Sequence, residues 1–427
     1  MNLVKEESVH LNGFTLHGIE TLKYKTNTIA LKLKAPLQDD TVTTRALLPY
    51  VLQSGTEKFP STLKLRTKLD ELYGASLNVD VAKKGEYQII SIRMDLANEK
   101  YLSDPTPLLK NGIELLADII LSPVTENGAF SLDIVEKEKR ALKQRIQAVY
   151  DDKMRYANMR LIQEMCKEEP YRLNAHGNIE DLEKITAKSL YDYYQNVLMS
   201  DEIDLYIVGD INIDEVKQIA EQAFVLPSSR SNVFVKTNVA HKKVAEVKEI
   251  IEEQDIKQGK LHIGCRTNVT YQDQDYFALQ LFNGIFGGFS HSKLFINVRE
   301  KESLAYYAAS RFESHKGLLM IMSGIEFANY QKCVDIIKEQ MEQMKNGNFS
   351  DDEIMQTKAV LKNQILETID TPHGLIEVLY HNVVSGVRRP LDDWLTKIDG
   401  VSKEEIKEVA GKIELDTIYF LKGLEGA

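Results

Sequence analysis

The sequence has few cysteines, prolines and glycines, and no excess of basic residues. Its 427 residues include 3 Cys, 10 Pro and 23 Gly, too few glycines and prolines for a low-complexity or collagen-like chain. Lys and Arg number 53 against 64 Asp and Glu, so the formal net charge is −11. Nucleic-acid-binding proteins usually carry a basic face, and this balance argues against nucleic acid as a partner.

The three cysteines, Cys166, Cys265 and Cys333, stand far apart, without the paired spacing that holds zinc or an iron–sulfur cluster. They therefore predict reduced thiols in the core of a cytosolic protein. The first residues are acidic and lack the apolar stretch of a signal peptide. No apolar run approaches the roughly 20 residues that span a bilayer. These absences predict a cytoplasmic protein with no membrane partner.

An internal repeat is the strongest positive feature. Residues 127–131 (Asn-Gly-Ala-Phe-Ser) recur at 346–350 (Asn-Gly-Asn-Phe-Ser), a shift of 219 that is about half the chain. At the same shift, five further positions carry identical residues: Asp133, Lys139, Leu142, Lys143 and Ile146. The apolar matches have helical spacing, which predicts equivalent amphipathic helices at 130–148 and 349–367. We interpret the repeat as a duplicated domain.

Other parts of the two halves agree with this interpretation. Strand-like segments pair as 28–34 with 260–266 and 203–208 with 417–421, and helical stretches pair as 41–53 with 275–286. Alternating stretches at 88–94 and 318–323 follow turns as hairpin partners would. The predicted fold class is α+β, with two homologous domains, each a mainly antiparallel sheet with helices packed on one face.

The segment between the halves is polar and begins with turn residues at 226–232 (Leu-Pro-Ser-Ser-Arg-Ser-Asn). The sequence therefore predicts an N-terminal domain over 1–225, a linker over 226–243 and a C-terminal domain over 244–427.

No metal-binding or nucleotide-binding motif stands out. The nine histidines include no pair at i, i+4, and the closest pairs, His10/His17 and His373/His381, lie about two helical turns apart. The chain contains no phosphate loop, no Gly-x-Ser-x-Gly elbow and no dinucleotide fingerprint.

One segment does carry a recognisable motif. Residues 281–306 read Leu-Phe-Asn-Gly-Ile-Phe-Gly-Gly-Phe-Ser-His-Ser-Lys-Leu-Phe-Ile-Asn-Val-Arg-Glu-Lys-Glu-Ser-Leu-Ala-Tyr. This closely resembles the C-terminal-domain signature of the pitrilysin/insulinase-like metallopeptidases, with the glycine pair, the Arg-Glu-Lys and the Leu-Ala-Tyr in register. Family members of this size match the chain end to end. Their duplicated α+β domains, arranged as a clamshell, would explain the repeat.

The resemblance implies a substrate-binding role for part of this segment. Arg299 offers a fixed fork of donors, and Tyr306 follows seven residues later, two turns on along a predicted helix and on roughly the same face. In the family this pair binds substrate carbonyls and stabilises the oxyanion, facing zinc held by another domain. The implied substrate-binding residues are Arg299, Tyr306, Gly284, Gly287 and Gly288. The plainer interpretation is a surface Arg–Glu pair, a half-buried Tyr and a glycine helix stop.

The zinc half of the family's site is lost in this chain. Active members carry His-x-x-Glu-His shortly before a Gly-Thr turn, which here is at 55–56, and a third ligand on a later helix seven residues after another glutamate. Glu138 keeps that first glutamate. Ala46 and Tyr50 replace the two histidines, and Pro49 replaces the general base. Arg145 stands at the position of the third ligand. The resemblance therefore implies no zinc on this chain and no peptidase activity by the chain alone.

Three functions remain open. The first is a non-catalytic subunit that forms a heterodimer with an active, zinc-bearing homologue, or a homodimer when isolated, and acts on peptides or small proteins. The second is a binding or assembly protein without proteolysis. It is suggested by similar inactive paralogues in Bacillus-type bacteria that are associated with modification of elongation factor P. The third is an unrelated enzymatic activity, for which the sequence names no nucleophile. Zinc is expected only on the partner.

Overall fold

The structure, a computed structural model, describes residues 4–103, 106–230 and 243–424. Most of the predicted linker, at 231–242, lies outside the described residues. The described chain forms two compact units. The first holds residues 4–83, 87–148 and 173–230, and the second holds 84–86, 149–172 and 243–424. Two short stretches of the first half of the chain thus belong to the second unit.

The strands, in chain order, are β1 (Glu6–His10), β2 (Thr15–Glu20), β3 (Thr26–Pro36), β4 (Ser76–Lys84), β5 (Tyr87–Ala97), β6 (Thr125–Glu126), β7 (Ala129–Phe130), β8 (Glu202–Gly209), β9 (Lys248–Gln254), β10 (Gly259–Arg266), β11 (Ala305–Glu313), β12 (Leu318–Ile325) and β13 (Glu414–Gly423).

The α-helices are α1 (Val42–Leu52), α2 (Thr62–Glu71), α3 (Leu108–Leu121), α4 (Leu132–Asp151), α5 (Lys153–Met165), α6 (Ile179–Lys184), α7 (Ala187–Ser200), α8 (Ile213–Ala223), α9 (Tyr276–Asn283), α10 (Tyr330–Lys345), α11 (Asp351–Thr368), α12 (Pro372–Ser385), α13 (Leu391–Gly400) and α14 (Lys403–Lys412). Gly284–Gly288 and Phe295–Lys301 are wider, π-helical segments, and Glu99–Tyr101, Pro170–Arg172 and Phe327–Asn329 are short 3₁₀ turns.

The two main sheets share one strand order. The first unit has β1-β2-β8-β3-β5-β4 and the second has β11-β12-β10-β13-β9. Read from β2 and from β9, the two orders match strand for strand. In each sheet the equivalent pair, β2–β8 or β9–β13, is parallel, and the central strand, β3 or β10, is antiparallel to both neighbours. The predicted α+β duplication is confirmed.

Alternation along β3 explains how the first core forms. Ile29, Leu31 and Leu33 point to one face and join a buried apolar cluster with residues of β5 and β8 and of helices α1 and α3. Lys32 and Lys34, on the other face, are also buried but polar. The strand is buried on both faces and has a hydrogen-bonded neighbour on each side, β8 and β5, which places it inside the sheet.

The second core receives a helix from the crossing stretch 149–172. Ala157, Leu161 and Met165 of α5 are buried against strands β12 and β13 of the second sheet. Gly264 of β10 permits this close packing, because a Cβ there would lie 2.6 Å from Met165 Sδ. A side chain at position 264 would therefore require Met165 to move.

The duplicated helices begin in the register that the repeat predicts, α4 at Leu132 and α11 at Asp351. In the first unit, Lys139 Nζ donates to the carbonyls of Glu183 (3.4 Å) and Ile185 (2.9 Å). One turn later, Lys143 Nζ lies 2.9 Å from Glu183 Oε1. The two lysines thus bind the connection between α6 and α7.

The second unit repeats this arrangement. Lys358 Nζ donates to the carbonyls of Asp399 (2.8 Å) and Val401 (2.7 Å), and Lys362 Nζ lies 2.7 Å from Asp399 Oδ1. Here the lysines bind the connection between α13 and α14. The repeated lysines therefore have a structural explanation, since they satisfy backbone carbonyls at the end of one helix before the next begins.

Among the helices of the described residues, none is long and apolar enough to cross a membrane. All three cysteines are buried, and none forms a disulfide in the described part of the chain.

A buried histidine ties the first three strands of the first sheet together. His17 Nδ1 lies 2.8 Å from Glu6 Oε1, and its Nε2 lies 2.9 Å from Asp204 Oδ1. The Tyr206 ring stacks on the imidazole at 4.2 Å. Burial alone would lower the pKa of His17, but its hydrogen bonds and charge interactions with Asp204 and Glu6 outweigh it and raise the pKa to about 9.

This histidine predicts a loss of stability in alkali. Its folded pKa of about 9 lies above the ordinary 6.5, so its contribution is fully present below about pH 6.5 and is lost as the pH rises through 9. At about 1.4 kcal/mol per tenfold change in proton affinity, the contribution is on the order of 3 kcal/mol. Denaturant unfolding from pH 6 to pH 10 should show this decline in the unaltered chain and a smaller decline in His17→Gln. Parallel declines in both proteins would contradict the assignment.

Candidate functional site

The degenerate metal motif lies on α1, inside the first unit. Ala46 is fully buried and Tyr50 is 5% exposed, one turn further on the same face. Pro49 lies within the helix between them. The two positions of the family's histidines thus carry a methyl group and a phenol, and the position of the general base carries a pyrrolidine ring without an ionisable group.

A cation covers the position of the third ligand. Arg145 of α4 places its guanidinium carbon 3.8 Å from the centre of the Tyr50 ring, a close cation–π contact. Burial raises the pKa of Tyr50, while the nearby Arg145 charge opposes that rise. The phenol therefore stays neutral, and a fixed positive charge lies where a zinc ion would need a negative or neutral ligand.

Glu138 is the retained carboxylate, but it is bound to protein groups. It is buried on α4 and accepts a hydrogen bond from Ser54 Oγ at 3.2 Å. Lys137 Nζ lies 3.2 Å from the same Glu138 oxygen, Oε1. The carboxylate thus has a neighbouring cation and a hydroxyl donor in place of a metal.

His176 lies in the same region, on the loop before α6. Burial lowers the pKa of this histidine and the Arg145 charge lowers it further, while Asp80 acts in the opposite direction. Gly177 holds the loop against α1, since it has φ +73° and a Cβ there would lie 2.5 Å from Thr43 Cα. One imidazole does not make a zinc site, and the described residues contain no group of three or more His, Cys, Asp or Glu side chains that could hold a metal.

The glycine-rich segment of the second unit packs against β11. Gly284 and Gly287 are buried and Gly288 is exposed. A Cβ on Gly287 would lie 2.5 Å from Ser310 Oγ and 2.8 Å from the Ser310 backbone nitrogen. Asn283 Oδ1 accepts a hydrogen bond from Ser310 Oγ at 2.8 Å. Gly287 thus lets the π-helical segment approach the strand that carries Tyr306.

Arg299 lies in the second π-helical segment, Phe295–Lys301. Its guanidinium carbon is 4.6 Å from the centre of the Phe295 ring, and its Nε is 3.7 Å from Glu300 Oε1. The side chain is 41% exposed. The surface Arg–Glu pair considered from the sequence is present, and the exposed guanidinium keeps access to a ligand.

The prediction that Tyr306 follows Arg299 on one helix is wrong. The helical segment ends at Lys301, Ser303 takes the left-handed conformation with φ +50°, and β11 begins at Ala305. Tyr306 is the second residue of that strand and is 80% exposed. The seven-residue spacing therefore spans a chain turn, and the expected half-buried phenol is instead almost wholly in solvent.

His291 is a residue of this segment to which the sequence assigned no role. Its Nε2 lies 2.9 Å from Thr357 Oγ1 on α11, and its ring is 5.5 Å from that of Phe289. Burial lowers its pKa, and Glu353 partly opposes this effect. The signal was available, because Thr357 occupies the position that Glu138 occupies in the first copy of the repeat.

The chain is similar to known proteins in both sequence and structure. A model of the family described as "Peptidase M16 inactive domain" matches residues 184–361. The chain is 55% identical to "Probable inactive metalloprotease YmfF" of Bacillus subtilis (strain 168) over 427 residues, which is 100% of both chains. It is 24% identical over 297 residues to "Antilisterial bacteriocin subtilosin biosynthesis protein AlbE" of the same organism, covering 69% of this chain and 73% of that protein. The crystal structure of a conserved protein from Enterococcus faecalis V583 matches with a TM-score of 0.90 and 34% identity, covering 99% of each chain.

The replacements on α1 and α4 predict that the purified chain binds no stoichiometric zinc. Ala46 and Tyr50 offer no imidazole, and the Arg145 charge would repel the metal. Metal analysis should find well under one zinc per chain, and Arg145→Ala should leave this value unchanged because the other ligands are still missing. Stoichiometric zinc that chelators remove, together with peptide cleavage, would overturn the prediction.

The close contact at Gly287 predicts a matched pair of stability effects. Gly287→Ala should lower the free energy of unfolding by about 1–3 kcal/mol, because the new methyl group meets backbone and side-chain atoms of Ser310. Gly411→Ala, in α14 with nothing within 4 Å of the added atom, should be neutral or raise it by up to about 1 kcal/mol. Denaturant unfolding measures both, and equal effects of the two substitutions would remove the packing role of Gly287.

Proposed function

The chain belongs to the peptidase M16 family as an inactive metalloprotease homologue. We propose that it is the non-catalytic subunit of a heterodimeric zinc peptidase. In this proposal an active homologue supplies the zinc and the general base. This chain supplies Arg299, Tyr306 and the glycine-rich segment 284–288, which bind the substrate. We place the protein in the cytoplasm, and the proposal includes no nucleic-acid or membrane partner.

The observation that carries the proposal is the exposure of the Arg/Tyr pair. Tyr306 is 80% exposed, and the Arg299 side chain, which packs on the Phe295 ring, is still 41% exposed. Both polar groups can therefore reach a ligand. A guanidinium fork and a phenol are donors suited to carbonyl oxygens and to a developing oxyanion. The first unit, by contrast, fills the metal position with Tyr50 and Arg145.

A peptide or small protein is the substrate class that fits these donors. An extended peptide presents carbonyl oxygens at regular spacing, which donors on separate elements can bind together. The similarity to AlbE supports this class, because that relative is named for the biosynthesis of a bacteriocin. A binding or assembly function without proteolysis, such as an accessory role in modification of elongation factor P, is the alternative that the test must separate.

The test reconstitutes the chain with a homologue that carries His-x-x-Glu-His. The mixed pair should form a heterodimer and cleave peptide faster than the homologue alone. Arg299→Ala and Tyr306→Phe should each lower kcat/KM by about 10²–10³, the usual cost of losing one oxyanion-type donor. Assembly and zinc content should not change, since the removed groups are exposed.

Arg311→Ala and Tyr101→Phe are the matched controls. Arg311 is an exposed arginine five residues further along β11, and Tyr101 is a 55% exposed tyrosine in the first unit. Neither should change turnover. If Arg299→Ala and Tyr306→Phe leave turnover of the reconstituted pair unchanged, the divided active site is refuted and the binding or assembly function is favoured. A homologue that neither associates with this chain nor responds to it would refute the heterodimer.

A further inference from the structure

The second unit contains a cavity of about 320 Å³ that is separate from the glycine-rich segment and from the Arg/Tyr pair. It lies between α10 and one face of the sheet. Ile263 and Cys265 of β10 and Ile321 of β12 form its floor, and Ile337 and Met341 of α10 form its roof. Its volume falls at the lower end of the range found for small-molecule sites.

The interior of this cavity carries no charge. Its floor and roof consist of buried aliphatic and sulfur-containing side chains. Burial raises the pKa of the Cys265 thiol to about 12, so at neutral pH the thiol is protonated and uncharged. A polar or charged group placed here would lose its hydration without gaining a partner. The interior therefore suits a hydrocarbon chain.

The rim, in contrast, is positively charged. Lys338, Glu342 and Lys345 follow one another at helical spacing along α10 and line the cavity. Lys345 Nζ is 3.0 Å from Glu342 Oε1, so these two charges neutralise each other. Lys338 is exposed and forms no ion pair with the described residues. One uncompensated cation thus stands beside an apolar cavity.

We propose that this cavity binds a medium-chain alkyl carboxylate, with its hydrocarbon chain between α10 and the sheet and its carboxylate at Lys338. The apolar walls fit the chain, and the unpaired lysine fits a single negative head group. An apolar segment of a partner protein would need a carboxylate side chain placed at Lys338, whereas an alkyl carboxylate carries both groups in one small molecule. The proposal is independent of the peptidase role, since no residue of that site lines the cavity.

The test is a calorimetric titration of the full chain with octanoate, decanoate, dodecanoate and tetradecanoate, each below its micelle concentration. Affinity should rise by about fourfold for each added methylene that becomes buried. It should stop rising once the chain exceeds the cavity. A continued rise through tetradecanoate would mean unspecific partition and would overturn the proposal, as would the absence of saturable binding.

A charge reversal at the rim tests the head group without touching the core. Lys338→Glu should weaken decanoate binding by about fivefold and leave decanol, which lacks the charge, unaffected. Lys257→Glu, an exposed lysine outside the cavity, should change neither ligand. Equal decanoate affinity in the two variants would refute the role of Lys338.

Two further measurements test the location. Decanoate should shift the methyl resonances of Ile263, Ile321 and Met341 and not those of Ile29 in the first unit. Cys265→Phe should abolish binding by filling the floor, and Lys338→Glu remains decisive if that variant does not fold. Saturable binding that shifts methyl groups outside the cavity would overturn the assignment.

Discussion

A buried network of charges holds the second unit together, and the course of the chain depends on it. Arg266 is buried between Glu169 (Nη2–Oε1, 2.7 Å) and Asp416 (Nε–Oδ2, 2.8 Å). Lys316 binds Glu169 at 2.7 Å and also binds Glu86. Burial alone would raise the pKa of Glu169, but Arg266 and Lys316 outweigh it and lower the pKa. Because removing one partner leaves the others charged in a medium of low polarity, the three carboxylates, which are distant in sequence, are constrained to meet here.

This constraint shows how the chain's own side chains fix the fold. The ion pairs of Glu169 fix residues 149–172 in the second unit. Helix α4 begins in the first unit and ends within this stretch. The helix is fixed by its own contacts, through buried Leu142 and Ile146 and through Lys139, which binds backbone carbonyls. None of these groups is a metal ligand. Replacement of zinc ligands by Tyr50 and Arg145 therefore removes the metal-binding groups without removing the contacts that fix α4.

How much the sequence could reveal depended on the range of each interaction. The shift of 219 predicted α4, α11 and the matching sheets, because helical and strand periodicity are local properties. The sequence did not place 149–172 in the second unit, since that choice is made by Arg266 and Glu169 across about a hundred residues. The sequence also predicted a continuous helix over 299–306. In the structure the chain turns at Ser303 and continues as β11. The loss of ligands at Ala46 and Tyr50 followed from motif spacing alone, whereas the stacking of Arg145 on Tyr50 required the fold.

The same structure separates residues whose identity packing explains from those that packing does not. Gly284 and Gly287 are buried where an added Cβ would collide with neighbouring atoms, so folding alone accounts for them. Tyr306 is 80% exposed, and an aromatic ring in water gains little of the burial energy that normally fixes such a residue. Arg299 contacts the Phe295 ring and pairs with Glu300 at 3.7 Å, contacts that many surface side chains could replace. Folding therefore does not explain the identities of Arg299 and Tyr306, whereas Gly287 lets its segment pack against the strand that carries Tyr306.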